Sequence, residues 1–277
     1  MRQIILAAGE SVPVLGMGTW GWGEDPGRRR AEIAALHTGL DLGMRLVDTA
    51  EMYADGGAEE VLGEALAGRR DEAFVVSKVL PSNASRSGTI AACERSLERL
   101  RTDRIDLYLL HWQGGHPLAD TLAAFEQLIT DGTIRSWGVS NFDRAALAEL
   151  QDVPGSDGLA TDQVLYNLSR RGPEYDLLPW CADHDLPVMA YSPIEQGRIL
   201  NDPTLAEVAD AHGISPAAAA LAWVLRRESI CAIPKASTPE HVRDNATALD
   251  TELTPDDLAA LDRAFPAPSG PQPLEML

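Results

Sequence analysis

The chain has 277 residues, 45% of them apolar, and carries 23 basic against 42 acidic side chains for a net charge of −19. That length suits one large α/β barrel or two average domains and is ample for a sizeable core. The charge argues against nucleic acid or an anionic membrane surface as partner, and any anionic cofactor must be held by local positive charge. Three cysteines (Cys93, Cys181, Cys231) lie far apart without CxxC spacing, so reduced, buried thiols are expected. No apolar run is long enough for a membrane span, and ILAA before Gly9 is too short for a signal sequence. A soluble, cytoplasmic protein is the expectation.

In chain order, QIILA, AGES and VPVLG predict an N-terminal hairpin. Strand-like runs then follow: VLGM, RLVDT, FVVSK, DLYLLH, IRSWGVS, TDQVLYN, PVMAYS and CAIPK. Between and after them lie helical patterns, among them RRRAEIAALHTGLDLG, AEEVLGEALAG, RSGTIAACERSLERLR, LADTLAAFEQLITDG, DRAALAELQDV, EYDLLPWCADHD, SPAAAALAWVLRRE and PEHVRDNATAL. Strand-helix alternation with no linker or change of composition predicts one closed (β/α)8 TIM barrel over 1–277. An extra helix is expected within 202–227, and the proline-rich residues 266–277 form a non-helical flap or a frayed end. GMGTWG at 16–21 fits the dinucleotide fingerprint GxGxxG, yet no helix opens at its last glycine, so a Rossmann reading is rejected.

Lysine occurs only twice, as Lys78 and Lys235, and each ends an apolar run. In a barrel, the C-terminal ends of the strands carry the chemistry. Those ends read Asp48, Lys78, His111, Ser140-Asn141, Gln163, Tyr191 and Lys235, with Tyr53 in the loop just beyond Asp48. Taken singly, Asp48 and Lys78 also fit a buried ion pair of barrel architecture, and His111 a satisfied histidine beside Trp112. Joint occurrence with Tyr53 favours carbonyl reduction. A carbonyl accepting hydride needs a proton on its oxygen, and an unaided phenol is a weak acid. An ammonium about 4 Å away favours phenolate by roughly 4 kcal/mol, about three pKa units, which predicts a phenol shifted towards neutrality. Asp48 would hold Lys78 in place, and a neutral His111 would orient the carbonyl oxygen.

GMGTW (16–20), GMRLVDTAEMY (43–53), Ser77-Lys78, LLHW (109–112), IRSWGVSNF (134–142), Gln163xxTyr166-Asn167, AYSP (190–193) and IPKASTPEHVRDN (233–245) together resemble the aldo-keto reductase superfamily over nearly the whole chain. The resemblance implies a TIM barrel, NADPH bound without a Rossmann domain, and a catalytic tetrad of Asp48, Tyr53, Lys78 and His111 with tyrosine as general acid. It further implies that Ser140, Asn141 and Gln163 bind the nicotinamide carboxamide and that Tyr191 stacks on the ring. Thr19 and Trp20 would lie by the nicotinamide ribose, and Ser192, Ile194 and Gly197 would approach the pyrophosphate. Lys235, Ser237, Thr238, His241 and Asn245 would serve the 2′-phosphate and adenine. Two positions depart from the family pattern: Ala236 lacks a hydroxyl often found there, and His241 replaces an arginine. NADPH is therefore expected with weakened selectivity, so that NADH also supports turnover.

Short loops after His111 and Tyr191 predict an open, shallow pocket lined by Trp20, Tyr53, His111 and Trp112, suited to small aldehydes and 2-oxoaldehydes. NLSRRGPEYDLLPWC and FPAPSGPQPLEML also resemble bacterial members that reduce methylglyoxal. A small carbonyl compound is the expected partner and the chain is expected to be a monomer with no metal. Two other readings are a non-catalytic nicotinamide-nucleotide-sensing subunit on the same fold, and a barrel hydrolase or lyase using Asp48 and His111. No HxH or paired-carboxylate spacing supports the latter.

Overall fold

The computed structural model describes residues 1–277. An antiparallel hairpin, β1 (Gln3–Ile5) and β2 (Ser11–Pro13), opens the chain with Ile4 opposite Val12. Eight parallel strands follow: β3 (Met17–Gly18), β4 (Leu46–Asp48), β5 (Phe74–Val79), β6 (Ile105–Leu110), β7 (Ile134–Ser140), β8 (Leu159–Leu165), β9 (Val188–Tyr191) and β10 (Ile230–Ala232). Each pairs with its neighbour in sequence. Parallel bridges Leu15–Ala232 and Gly18–Lys235 join the first strand to the last and close a (β/α)8 barrel. The Gly18 N–H donates to Pro234 O at 3.0 Å. A Cβ on Gly18 would stand 2.8 Å from Ile233 O, so this seam needs glycine.

Helices cover the outside of the barrel, so its strands are buried on both faces and read as continuous apolar runs rather than as alternation. All six residues of β6 are buried. The helices are α1 (Arg29–Asp41), α2 (Gly57–Ala65), α3 (Arg86–Leu100), α4 (Leu118–Thr130), α5 (Arg144–Gln151), α6 (Leu177–Asp183), α7 (Pro203–His212), α8 (Pro216–Leu225), α9 (Pro239–Ala246) and α10 (Pro255–Ala264). Their starts are written in the sequence. Asp202, Ser215, Thr238 and Thr254 each cap a helix through the side chain, and each is followed by proline at the first position, where no N–H is needed. No single helix is long and apolar enough to cross a membrane; α7 and α8 are apolar together but meet at 88°. The apolar character of α8 follows from burial, since Ala218–Leu225 are all enclosed.

The pattern reading needs three corrections. CAIPK is not a strand throughout: β10 ends at Ala232, because Pro234 has no N–H for the ladder, and Lys235 lies beyond it. EYDLLPWCADHD yields only α6, since Pro179 can sit no deeper than the first turn of a helix. Helix α10 was not among the predicted patterns. The expected extra helix within 202–227 is α7, placed before α8.

Charged groups separate by end. At the N-terminal end of β6 the buried Asp106 accepts from Arg70 Nη2 at 2.7 Å and from Val75 N–H at 2.9 Å, a structural tie far from the other strand ends. The three cysteines are buried and unpaired. Residues 266–277 contain no helix or strand, but they are not a frayed end, since Leu274 packs on the core and Met276 and Leu277 reach the cleft described next.

Candidate active site

At the C-terminal ends of the strands lies a cleft of about 460 Å³, within the range of small-molecule sites. Strand β4 delivers Asp48 as its last residue, β5 delivers Lys78, and His111 directly follows β6. Tyr53 opens the turn after β4, whose Ala54 and Asp55 adopt left-handed backbone (φ 51° and 50°). The four side chains meet. Lys78 is fully buried, and its Nζ donates to Asp48 Oδ2 at 2.8 Å, Thr49 O at 2.9 Å and Tyr53 Oη at 3.0 Å. All three ammonium protons are thereby used. The second Asp48 oxygen accepts from Gln163 Nε2 at 2.7 Å. The His111 ring stands edge-on to Tyr53 at 5.9 Å between centroids.

Burial would push the Lys78 ammonium down, but the Asp48 carboxylate and the Tyr53 oxygen outweigh it and hold the lysine above its ordinary value. Burial also pushes the Asp48 carboxyl up, against the pull of Lys78 and Gln163. The phenol of Tyr53 corrects the sequence arithmetic. A single ammonium predicts a pKa shifted towards neutrality, whereas in the structure the Tyr53 pKa rises above the ordinary 10. Burial is the largest cause; Lys78 opposes it, and the Asp48 carboxylate adds to it. Tyr53 is therefore a fully protonated phenol at neutral pH. His111 falls to about 2, first through burial and then through the Lys78 charge, so its imidazole is neutral. Its Nδ1 has no hydrogen-bond partner within the protein.

The remaining predicted residues fall into two groups. Trp20, Trp112, Ser140, Asn141, Gln163, Tyr191, Ser192, Ile194, Gly197 and Lys235 line the same cleft as Tyr53 and His111. Several are already engaged with one another. Ser140 Oγ donates to Gln163 O at 2.8 Å, and Asn141 donates through Nδ2 to His111 O and Ser140 Oγ, both at 3.1 Å. Asn141 Oδ1 accepts from the Tyr191 hydroxyl at 2.9 Å. With its amide nitrogen on Asp48, Gln163 belongs to the tetrad's own network as well as to the cleft wall.

Thr19, Ser237, Thr238, His241 and Asn245 do not line that cleft. Thr19 is fully buried behind it with its hydroxyl unpartnered. Thr238 caps α9, accepting from His241 N–H at 3.4 Å; His241 is exposed and Asn245 is buried on the same helix. Ser237 Oγ, close in sequence to Lys235, is buried without a partner.

Seven cleft residues were not predicted for the site: Gly18, Pro193, Gln196 and Ile233, and three large, exposed apolar ones, Met52, Met276 and Leu277. Met52 adjoins Tyr53 and was accessible from the motif. The tail residues were not, because no local pattern reveals that a coil twelve residues long returns to the barrel mouth. With Trp20, these three are among the few large apolar side chains left exposed on the molecule. Four in one cleft make an apolar rim.

Known proteins resemble this chain over most or all of its length. The profile of the Aldo/keto reductase family matches residues 14–265. Methylglyoxal reductase YeaE of Escherichia coli (strain K12) is 52% identical over 100% of this chain and 99% of its own. Glyoxal reductase of Bacillus subtilis (strain 168) is 35% identical over 85% of this chain and 84% of its own. A crystal structure of an aldo-keto reductase from Klebsiella pneumoniae in complex with NADPH superposes with a TM-score of 0.96 at 48% identity, covering all of both chains. This chain belongs to the aldo/keto reductase family.

Proposed function

We propose that this protein is an NADPH-dependent oxidoreductase that reduces small, uncharged aldehydes and ketones to alcohols, 2-oxoaldehydes such as methylglyoxal among them, with Tyr53 as general acid. The observation that carries the reading is Lys78 Nζ bridging Asp48 and Tyr53 at the floor of an apolar-rimmed cleft. The names of the relatives, methylglyoxal reductase and glyoxal reductase, support the substrate class.

The residues present fit the cofactor. Lys235 lines the cleft and forms no salt bridge, leaving its charge for a phosphate, and the nearby Ser237 hydroxyl is buried without a partner. Ser140, Asn141 and Gln163 would receive the carboxamide, Tyr191 the ring and Thr19-Trp20 the adjoining ribose. The backbone of Ser192, Ile194 and Gly197 would take the pyrophosphate, and Thr238, His241 and Asn245 the adenosine end. When bound, NADPH supplies the hydride that the carbonyl carbon receives.

The protein's own groups manage the oxygen. As the C=O π bond breaks and charge collects on oxygen, the Tyr53 hydroxyl transfers its proton there and the carbonyl becomes an alcohol. The phenolate left behind accepts the 3.0 Å hydrogen bond from Lys78, whose charge Asp48 has kept in place. Neutral His111 offers one N–H to orient the carbonyl oxygen and cannot compete as a proton source. The cleft wall has no arginine, and Lys78 is fully spent, so the tetrad offers a carboxylated substrate hydrogen-bond donors but no free cation. A complete proton-donor set favours this reading over a sensing subunit, which needs none.

The test is NADPH oxidation with a panel of carbonyl compounds including methylglyoxal, on wild type and Tyr53→Phe. Turnover should be lost in the variant while NADPH binding, followed by tryptophan fluorescence, is retained. Full turnover in Tyr53→Phe sinks the assignment of the acid.

A further inference from the structure

Arg170 lies outside the tetrad, on the segment following β8, and its guanidinium grips two separate pieces of chain. Nε and Nη2 donate to Glu195 Oε1, each at 3.1 Å, and Nη1 donates to Glu275 Oε1. Glu195 is only 3% exposed and also accepts from Asn167 Nδ2 at 2.8 Å and Arg198 Nη2 at 2.6 Å. It sits in the turn 192–197, where Ser192, Glu195 and Gln196 all adopt left-handed backbone that residues with a Cβ resist. This turn lines the cleft through Ser192, Ile194 and Gly197. Glu275 is the only charged side chain in residues 266–277, and it directly precedes Met276 and Leu277, which line the same cleft.

We infer that Arg170 is a positioning residue that couples the two walls of the cleft. By holding Glu195 and Glu275 together, it keeps Met276 and Leu277 at the substrate end while bracing the turn proposed to meet the cofactor's pyrophosphate. The inference rests on the reading of the cleft as a carbonyl-reductase site. Exposed ion pairs contribute little when two flexible side chains must be frozen to form them. Here Glu195 has already fixed the guanidinium, so closing onto Glu275 immobilises one side chain instead of two. Loosening the tail leaves Tyr53, Lys78 and Asp48 untouched, which places the effect on substrate capture and not on the chemical step.

The experiment compares Glu275→Gln and Arg170→Gln with wild type. Glu275→Gln should raise KM for methylglyoxal and for a larger apolar aldehyde by about two- to fivefold, with kcat and the NADPH Kd unchanged. Arg170→Gln should raise KM similarly and also weaken NADPH binding, because Glu195 loses its brace. Hydrogen exchange read by mass spectrometry should be faster across 272–277 in both variants. Added to a Met276→Ala/Leu277→Ala background, Glu275→Gln should shift KM no further. An equal KM shift in that background, or tail exchange as slow in Glu275→Gln as in wild type, overturns the inference. If wild type turns over no carbonyl with NADPH, the reductase reading fails by itself. The clamp is then decided by exchange alone: acceleration at 272–277 upholds it and its absence removes it.

Discussion

Replacing Lys78 by methionine keeps the length of the side chain and removes the ammonium. Three hydrogen bonds vanish, to Asp48 Oδ2, Thr49 O and Tyr53 Oη. At the 3.0 Å separation seen here, an ammonium stabilises a full phenolate by about 5 kcal/mol at an effective dielectric near 20. With roughly half of that charge developed in the transition state, about 2–3 kcal/mol is lost, which lowers kcat by about 30- to 200-fold. A second effect is separable from the first. Asp48 becomes a buried carboxylate with Gln163 as its one remaining side-chain partner, and breaking such a pair costs about 3–5 kcal/mol of stability. The double variant Asp48→Asn/Lys78→Met removes the stranded charge and should recover most of that stability without recovering turnover. Steady-state NADPH oxidation at saturating carbonyl gives the first quantity, and urea denaturation at pH 7 gives the second. Near wild-type kcat in Lys78→Met, or kcat regained together with stability in the double variant, would refute the electrostatic role and leave Lys78 as a structural cation only.

His111 makes a pH prediction. Its pKa is depressed in the folded protein to about 2, so its contribution to stability is complete above the ordinary value of 6.5 and is lost as pH falls from there towards 2. Between pH 7 and pH 5 wild type should lose about 2 kcal/mol more than His111→Gln in urea denaturation, and equal losses would contradict a neutral buried imidazole. Lys235→Met should weaken NADPH binding by about tenfold while leaving NADH binding unchanged, with NADH turnover measurable in wild type. A matched loss for both cofactors would move Lys235 away from the 2′-phosphate. Thr254 and Asp257 form a capping box at the start of α10, so Thr254→Ala should cost about 1 kcal/mol with no change in kcat, read from the urea midpoint.

Much of the barrel was legible because parallel strands buried on both faces have to be short apolar runs, and five of the eight (β4, β5, β6, β7 and β9) end at or beside a polar residue of the site. What escaped the pattern has identifiable physical causes. Helix α10 carries the strongest start signal in the chain, Thr254-Pro255 with Asp257 three residues after the cap, but its buried stripe is thin, with Leu261 alone fully enclosed. Hydrophobic periodicity was therefore weak where capping chemistry was clear. The end of β10 is obscured for the opposite reason: CAIPK is apolar enough for a strand, and only the missing N–H of Pro234 stops the ladder. The tail was opaque in principle. Its place in the cleft depends on Arg170 and Glu275, 105 residues apart, and no local composition encodes that pairing.

The tetrad itself shows where pairwise reasoning from a sequence fails. Residue types and spacing bring Asp48, Tyr53, Lys78 and His111 together, and one ammonium beside one phenol then implies an easily lost proton. That sum leaves out burial and, after it, the carboxylate. Burial raises the phenol's pKa, Lys78 opposes the rise, and Asp48, 2.8 Å from the same ammonium, adds to it. For a general acid this is the useful direction. A phenol near neutrality would be partly ionised before a substrate arrived, and that ionised fraction would have no proton to give. A protonated phenol with a fixed ammonium behind it keeps its proton until charge builds on the carbonyl oxygen, and only then does the 3.0 Å hydrogen bond to Lys78 gain strength. In the proposed mechanism the stabilisation is thereby concentrated in the transition state, and Asp48 would serve it without touching substrate, by keeping Lys78 charged and in place.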